Sequence, residues 1–146
     1  MQKLKNYKNS TKIIIAIFLI CLIPFFLTGC KKKEETGILF NAEPITKENV
    51  LHASRSFEAG KRIYYLFYSH KKIDTEFIRV QLFKAEEKTP LGGYSILMTN
   101  DYRVMKQNQY YYYNHFTVHQ PGRYVLQVFS VNDISKPLAW NYFYAY

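Results

Sequence analysis

The apolar positions of this chain follow two regimes. Residues 13–27 form an unbroken apolar run behind a leader that carries Lys3, Lys5, Lys8 and Lys12. From Gly37 onward the repeat is two, the interval at which side chains alternate between the faces of a strand. Within residues 76–84 (EFIRVQLFK), Ile78, Val80 and Leu82 share one face and Arg79 and Gln81 the other, which predicts a strand with one packed and one wet side. Residues 110–119 alternate again. Tyr110, Tyr112, Phe116 and Val118 point one way, with Asn114 breaking the apolar row; Tyr111, Tyr113, His115, Thr117 and His119 point the other. The run RIYYLFYS at 62–69 has no polar interruption, as expected of a central strand buried on both faces. Residues 124–130 and 138–146 complete a strand-rich C-terminal half. Turn-forming residues separate these runs at Ala59-Gly60, 69–74, 90–93 (with Gly92-Gly93 as a hairpin turn), Gln120-Pro121-Gly122 and 132–137. Residues 46–53 suit either one helical turn or an edge strand, and no amphipathic helix or internal repeat is present.

Seven or eight short antiparallel strands in one domain predict an all-β sandwich. The stretch Gln120-Pro121-Gly122-Arg123-Tyr124-Val125-Leu126-Gln127-Val128 resembles the turn and strand F of immunoglobulin-like sandwiches. The resemblance implies an immunoglobulin-like antiparallel fold in which Tyr124 caps a corner through its hydroxyl, a structural tyrosine corner. Two features depart from antibody domains: Leu126 stands where their disulfide cysteine would, and the single tryptophan, Trp140, lies on the last strand. A variant topology is therefore open. The expected core is Phe57, Leu66, Ile78, Val80, Leu82, Phe116, Val118, Leu126, Val128 and Phe143.

The leader changes where the domain lives. An apolar run of 15 residues containing Pro24 reaches only ~22 Å as a helix, short of a ~30 Å hydrocarbon core, and fits a secretory signal better than a membrane span. It ends in Leu27-Thr28-Gly29-Cys30, which resembles the lipobox of bacterial lipoproteins. That resemblance implies a diacylglyceryl thioether on Cys30, further acylation of the palmitate kind, and cleavage just before it. The expected organisation is a signal peptide at 1–29, a lipidated cysteine and polar tether at 30–36, and a sandwich at 37–146. Cys21 falls in the discarded part, so Cys30 is the only mature cysteine and packing alone must stabilise the domain. Lys31, beside the anchor, is not the Asp that resembles an inner-membrane retention signal; in a double-membraned cell this favours the outer membrane. Lys31, Lys32 and Lys33 form a solvated run within reach of anionic headgroups.

Charge and candidate chemistry narrow the function classes. Removing residues 1–29 lowers the formal charge from +9 to +5, a modestly basic surface. Basic residues alternate with aromatics but are spread along an exported chain, which argues against nucleic acid. His115 and His119 have i,i+4 spacing, yet on a strand they stand ~13 Å apart, too far to share a metal ion; no metal site or cofactor is expected at these or at His52 and His70. No nucleophile elbow or phosphate loop appears, and Glu76, Asp101 and Asp133 are scattered while Glu86-Glu87 are merely adjacent. No enzymatic activity is expected. What remains is an excess of rings, with 14 Tyr and 11 Phe. Either they pack on one another as good strand residues, or some face outward to bind. The expected binding surface is Tyr111, Tyr113, Trp140 and Tyr142, presented to a protein partner in the cell envelope. A glycan or peptidoglycan ligand is the alternative, and an envelope hydrolase a weaker one.

Overall fold

A computed structural model describes residues 36–86, 93–104, 106 and 109–146. The lipobox, Cys30, residues 31–35 of the tether and the Gly92 turn position lie outside the described residues. Within them the period-two arrays become eight strands: β1 (Thr36–Asn41), β2 (Ser56–Phe57), β3 (Arg62–Ser69), β4 (Phe77–Glu86), β5 (Gly93–Arg103), β6 (Tyr111–Thr117), β7 (Gly122–Ser130) and β8 (Ala139–Ala145). They form two sheets, ordered β1-β3-β6 and β2-β8-β7-β4-β5. The first two strands of the domain divide between the sheets: β1 pairs antiparallel with β3, whereas β2 runs parallel to β8. Every other strand pairing is antiparallel. The fold is an immunoglobulin-like β-sandwich with this one parallel contact.

Alternate residues of both sheets meet in an aromatic core. Phe143 lies at its centre, fully buried, with ring centroids of Phe40, Tyr124, Phe116 and Phe57 at 5.1, 5.2, 5.5 and 5.9 Å. Ile78, Val80, Leu82, Leu126 and Val128 bury the inward faces of β4 and β7. The Tyr124 hydroxyl donates to the Gln120 carbonyl at 2.5 Å, the contact of a tyrosine corner. Just before it, Gly122 has φ +146°, and a Cβ there would stand 3.1 Å from Lys84 Cε, so this turn needs glycine.

Two expectations change, and two points that the pattern left open are settled. The β3 strand is central but not doubly buried: Ile63, Tyr65 and Phe67 point inward, and Leu66 is half-exposed on the outer face instead of in the core. The reason is that no strand among the described residues covers the outer side of this sheet, and tyrosine, with its hydroxyl, tolerates water there. Thr36 joins β1, its hydroxyl bonded to the Leu138 carbonyl, so the domain begins one residue before Gly37. The strand β5 had no clean alternation to announce it, because Leu82 pairs with Met98 while Phe83 pairs with Ile96. Leu97 is therefore an extra, bulged residue, and the bulge resets which side faces out. Finally, 46–53 holds one turn, closed by Val50 N–H to the Thr46 carbonyl at 3.1 Å.

Two asparagines replace apolar residues at strand positions where a sheet edge is open. In β6 the Asn114 side chain accepts the His115 N–H at 2.8 Å and donates to the Tyr112 hydroxyl at 2.8 Å. In β8 the Asn141 side chain accepts the Tyr142 N–H at 2.9 Å and donates to the Ile38 carbonyl of β1 at 2.7 Å. Each occupies a main-chain group that an exposed edge would offer to another strand.

The Tyr65 hydroxyl is buried with no hydrogen-bond partner among the described residues. Burial, with Tyr112 and Tyr102 nearby, raises its pKa far above the ordinary phenol value, and burial raises that of Tyr112 to about 12. A folded-state pKa above the unfolded one stabilises the fold below the unfolded value of ~10 and loses that stabilisation as pH rises toward the folded value. The denaturation midpoint is therefore expected to fall between pH ~10 and 12. Tyr65→Phe should unfold at neutral pH no more easily than the parent, since an unpaired buried hydroxyl costs ~1–3 kcal/mol, and its alkaline fall should be shallower. Urea titrations at pH 7 and 11 check both; a clear destabilisation at pH 7 would show that the hydroxyl has a partner.

Candidate functional site

The registers of the five-stranded sheet arrange its outer side chains in rows. Tyr142 pairs with Val125, Val125 with Phe83, and Phe83 with Ile96, an apolar row across four strands. The adjacent row is Trp140, Gln127, Gln81 and Thr99. Beyond it Arg79 forms a two-pronged ion pair with Asp101, at 2.8 and 2.9 Å, and those bonds hold the Asp101 carboxyl below its ordinary pKa. Trp140 and Ile96 are each 60% exposed, yet Val125 between them is only 9% exposed, because the flanking side chains stand over it. They leave a shallow groove of about 370 Å³ lined by Phe83, Tyr94, Val125, Gln127, Pro137 and Trp140. Arg55 fixes one flank: its guanidinium lies 4.8 Å from the Tyr142 ring centroid, and Nη1 donates to the Tyr142 hydroxyl at 3.0 Å. This platform is apolar at the middle, at Val125 and Phe83, and polar at the rim, at Gln127, Gln81 and the Arg79–Asp101 pair.

Tyr111 and Tyr113 are not on that platform. Both project from β6 on the outer face of the three-stranded sheet, with ring centroids 6.4 Å apart and planes 20° from parallel. The four residues expected to act together thus divide into pairs on two different sheets. Each strand's alternation was legible, but sheet membership follows from which strand each one pairs with, and β6 pairs with β3 while β8 pairs with β7. Tyr94 and Ile96 belong to the platform and were missed, because their strand is the one interrupted by the bulge.

The other side chains singled out for chemistry stand apart. His115 lies on the outer face of β6, its ring 5.5 Å from that of Tyr64, and His119 lies beyond the strand's end. Among the described residues no three His, Cys, Asp or Glu side chains gather as a metal site. Glu76 is ion-paired with Arg103 at 2.6 Å. Asp133 accepts the Ser135 N–H and hydroxyl at 3.0 and 2.6 Å, which lowers its pKa. Glu76, Asp101 and Asp133 therefore each have a partner of their own, and Glu87 lies outside the described residues.

No protein-family model matches the chain, and no curated protein matches it significantly. Among solved structures it is similar to the Pseudomonas fluorescens alkylpurine DNA glycosylase AlkC bound to DNA containing an abasic site analog, at 14% identity and a TM-score of 0.39, covering 83% of this chain and 33% of that one. It is also similar to a beta-glucosidase from Listeria innocua in complex with gluconolactone, at 10% identity and a TM-score of 0.38, covering 77% of this chain and 16% of that one. The chain therefore spans a third or less of either protein.

Proposed function

We propose that this chain is a lipid-anchored bacterial envelope lipoprotein that catalyses nothing and binds a protein partner through the outer face of its five-stranded sheet. The single observation that carries the binding half is the exposed Trp140 and Tyr94 around a groove floored by Val125 and Phe83, with exposed Ile96 paired beside Phe83. Large rings that bring much contact area at low entropic cost, bordered by Arg79–Asp101 and two glutamines, suit a partner that inserts an apolar side chain. The lipobox-like Leu27-Thr28-Gly29-Cys30 supports the anchored half and favours a partner close to the same membrane.

Trp140→Ala and Ile96→Ser are each expected to reduce partner capture by roughly tenfold or more, the scale of an interface hot spot. Both side chains are exposed, so melting temperatures should barely move. Photocross-linking from position 142 in intact envelopes, with and without these substitutions, measures the first effect. Recovery of peptidoglycan fragments in place of protein, together with saturable changes in Trp140 fluorescence, would transfer the reading to a glycan ligand. Unfolding of either variant would show that these side chains support the fold and do not serve binding.

A further inference from the structure

The two outer faces differ in chemistry. The five-stranded sheet carries Arg79, Asp101, Arg103 and Arg123 between its apolar residues. The three-stranded sheet presents Leu39, Tyr64, Leu66, Tyr68, Tyr111 and Tyr113, with rows Leu39–Leu66–Tyr113 and Gly37–Tyr68–Tyr111 set by the pairings of β3 with β1 and β6. Of its charged residues, Arg62 stands at the far end, paired with Thr117. Tyr113 is 61% exposed. Gly37 leaves room for the ring above it: a Cβ there would fall 2.5 Å from the Tyr68 hydroxyl. The result is a ring-covered surface whose ionisable strand residues besides the tyrosines are Arg62 and His115, the latter beside Tyr64.

This same sheet is the one the anchor enters. Thr36 opens β1 at the edge of the face, next to the row of Tyr68 and Tyr111. Six residue steps separate it from Cys30, a reach of at most ~20 Å. Tyr111 stands two strands away, ~10 Å across the sheet, and the Tyr64 row ~13 Å along it. The whole face therefore lies inside the radius that a lipid on Cys30 allows. Tyrosine combines an apolar ring with a hydroxyl that needs water, and it concentrates at the headgroup level of bilayers.

We infer that the tyrosine face of the three-stranded sheet rests on the bilayer that holds the lipid. This inference relies on the lipoprotein reading. In that orientation the outer face of the five-stranded sheet, with Trp140, is turned toward the aqueous space.

The chain's single tryptophan makes the orientation measurable. Acylated full-length protein would be incorporated into phosphatidylethanolamine–phosphatidylglycerol vesicles containing brominated acyl chains, which quench indoles that reach the interface. Emission from Trp140 should be hardly affected. Emission from a Tyr113→Trp, Trp140→Phe variant should fall roughly twofold or more, as expected for a ring at headgroup depth. Adding Tyr68→Ser and Tyr111→Ser to that variant should relieve the quenching while circular dichroism shows the sheet intact. Vesicle flotation and the mass of the Cys30 peptide separate the two ways to fail. A chain that neither floats nor carries acyl groups overturns the anchor and the orientation together. A chain that floats but shows no quenching in the Tyr113→Trp variant, or equal quenching of Trp140, overturns the orientation alone; a protein or glycan covering the tyrosine face would give this result.

Discussion

Phe143→Ala is expected to destabilise the domain by ~3–5 kcal/mol, the usual cost of deleting a buried aromatic side chain. For a domain of about this size that corresponds to a fall of roughly 15–30 °C in melting temperature. The size follows from position. Phe143 is fully buried and touches rings from both sheets: Phe40 of β1 and Phe116 of β6 on one side, Tyr124 of β7 and Phe57 of β2 beside it. Neighbours packed on all sides cannot collapse into the space, so the cavity persists. Phe143→Leu should lose markedly less, and Leu66→Ala, half-exposed on the outer face, should lose least. Thermal and urea unfolding of the three variants test the order. If Leu66→Ala proved as costly as Phe143→Ala, the division of β3 into inner and outer faces would be wrong.

The comparison of these two residues shows what the sequence made legible. Where polar and apolar residues alternate, as in Ile78-Arg79-Val80-Gln81-Leu82, the inner face was plain because water on one side selects against apolar residues there. In RIYYLFYS the signal fails. Tyrosine is accepted both in the core, as Tyr65, and on the wet side, as Tyr64 and Tyr68, so a ring-rich strand looks buried on both faces. The strand β1 has the same difficulty, since Gly37 and Leu39 face out while Ile38 and Phe40 face in. The local character of Tyr124 could be anticipated because its corner closes within four residues. The candidate surface was legible only as an excess of rings. Its division between two sheets depends on pairings between strands distant in sequence, and those leave no local mark.

Asn141→Ala is expected to cost ~1–3 kcal/mol, more than its half-buried position suggests, because two main-chain groups lose their partner at once. The Tyr142 N–H faces the open side of β8, since residues 144 and 146 on that side donate to the Arg55 and Phe57 carbonyls while 142 donates to the Asn141 side chain. The Ile38 carbonyl faces the matching open side of β1 and receives the Asn141 amide. This side chain thus bridges the edges of the two sheets, as the Thr36 hydroxyl does farther along through the Leu138 carbonyl. Asn141→Asp keeps the acceptor for Tyr142 but sets a carboxylate oxygen against the Ile38 carbonyl, so it should cost no less than Asn141→Ala at neutral pH and recover toward the parent as the carboxyl is protonated. An uncovered pair of edges is also a template for a strand from another molecule. Asn141→Ala should therefore self-associate at concentrations where the parent is monodisperse, and Asn114→Ala, which frees only the β6 edge, should do so less. Urea midpoints and light scattering of the three variants measure the two effects separately. If Asn141→Ala kept the parent's midpoint and dispersity, the amide would be a passenger, and the closure of this seam would rest on the Thr36–Leu138 contact and on packing between β1 and β8.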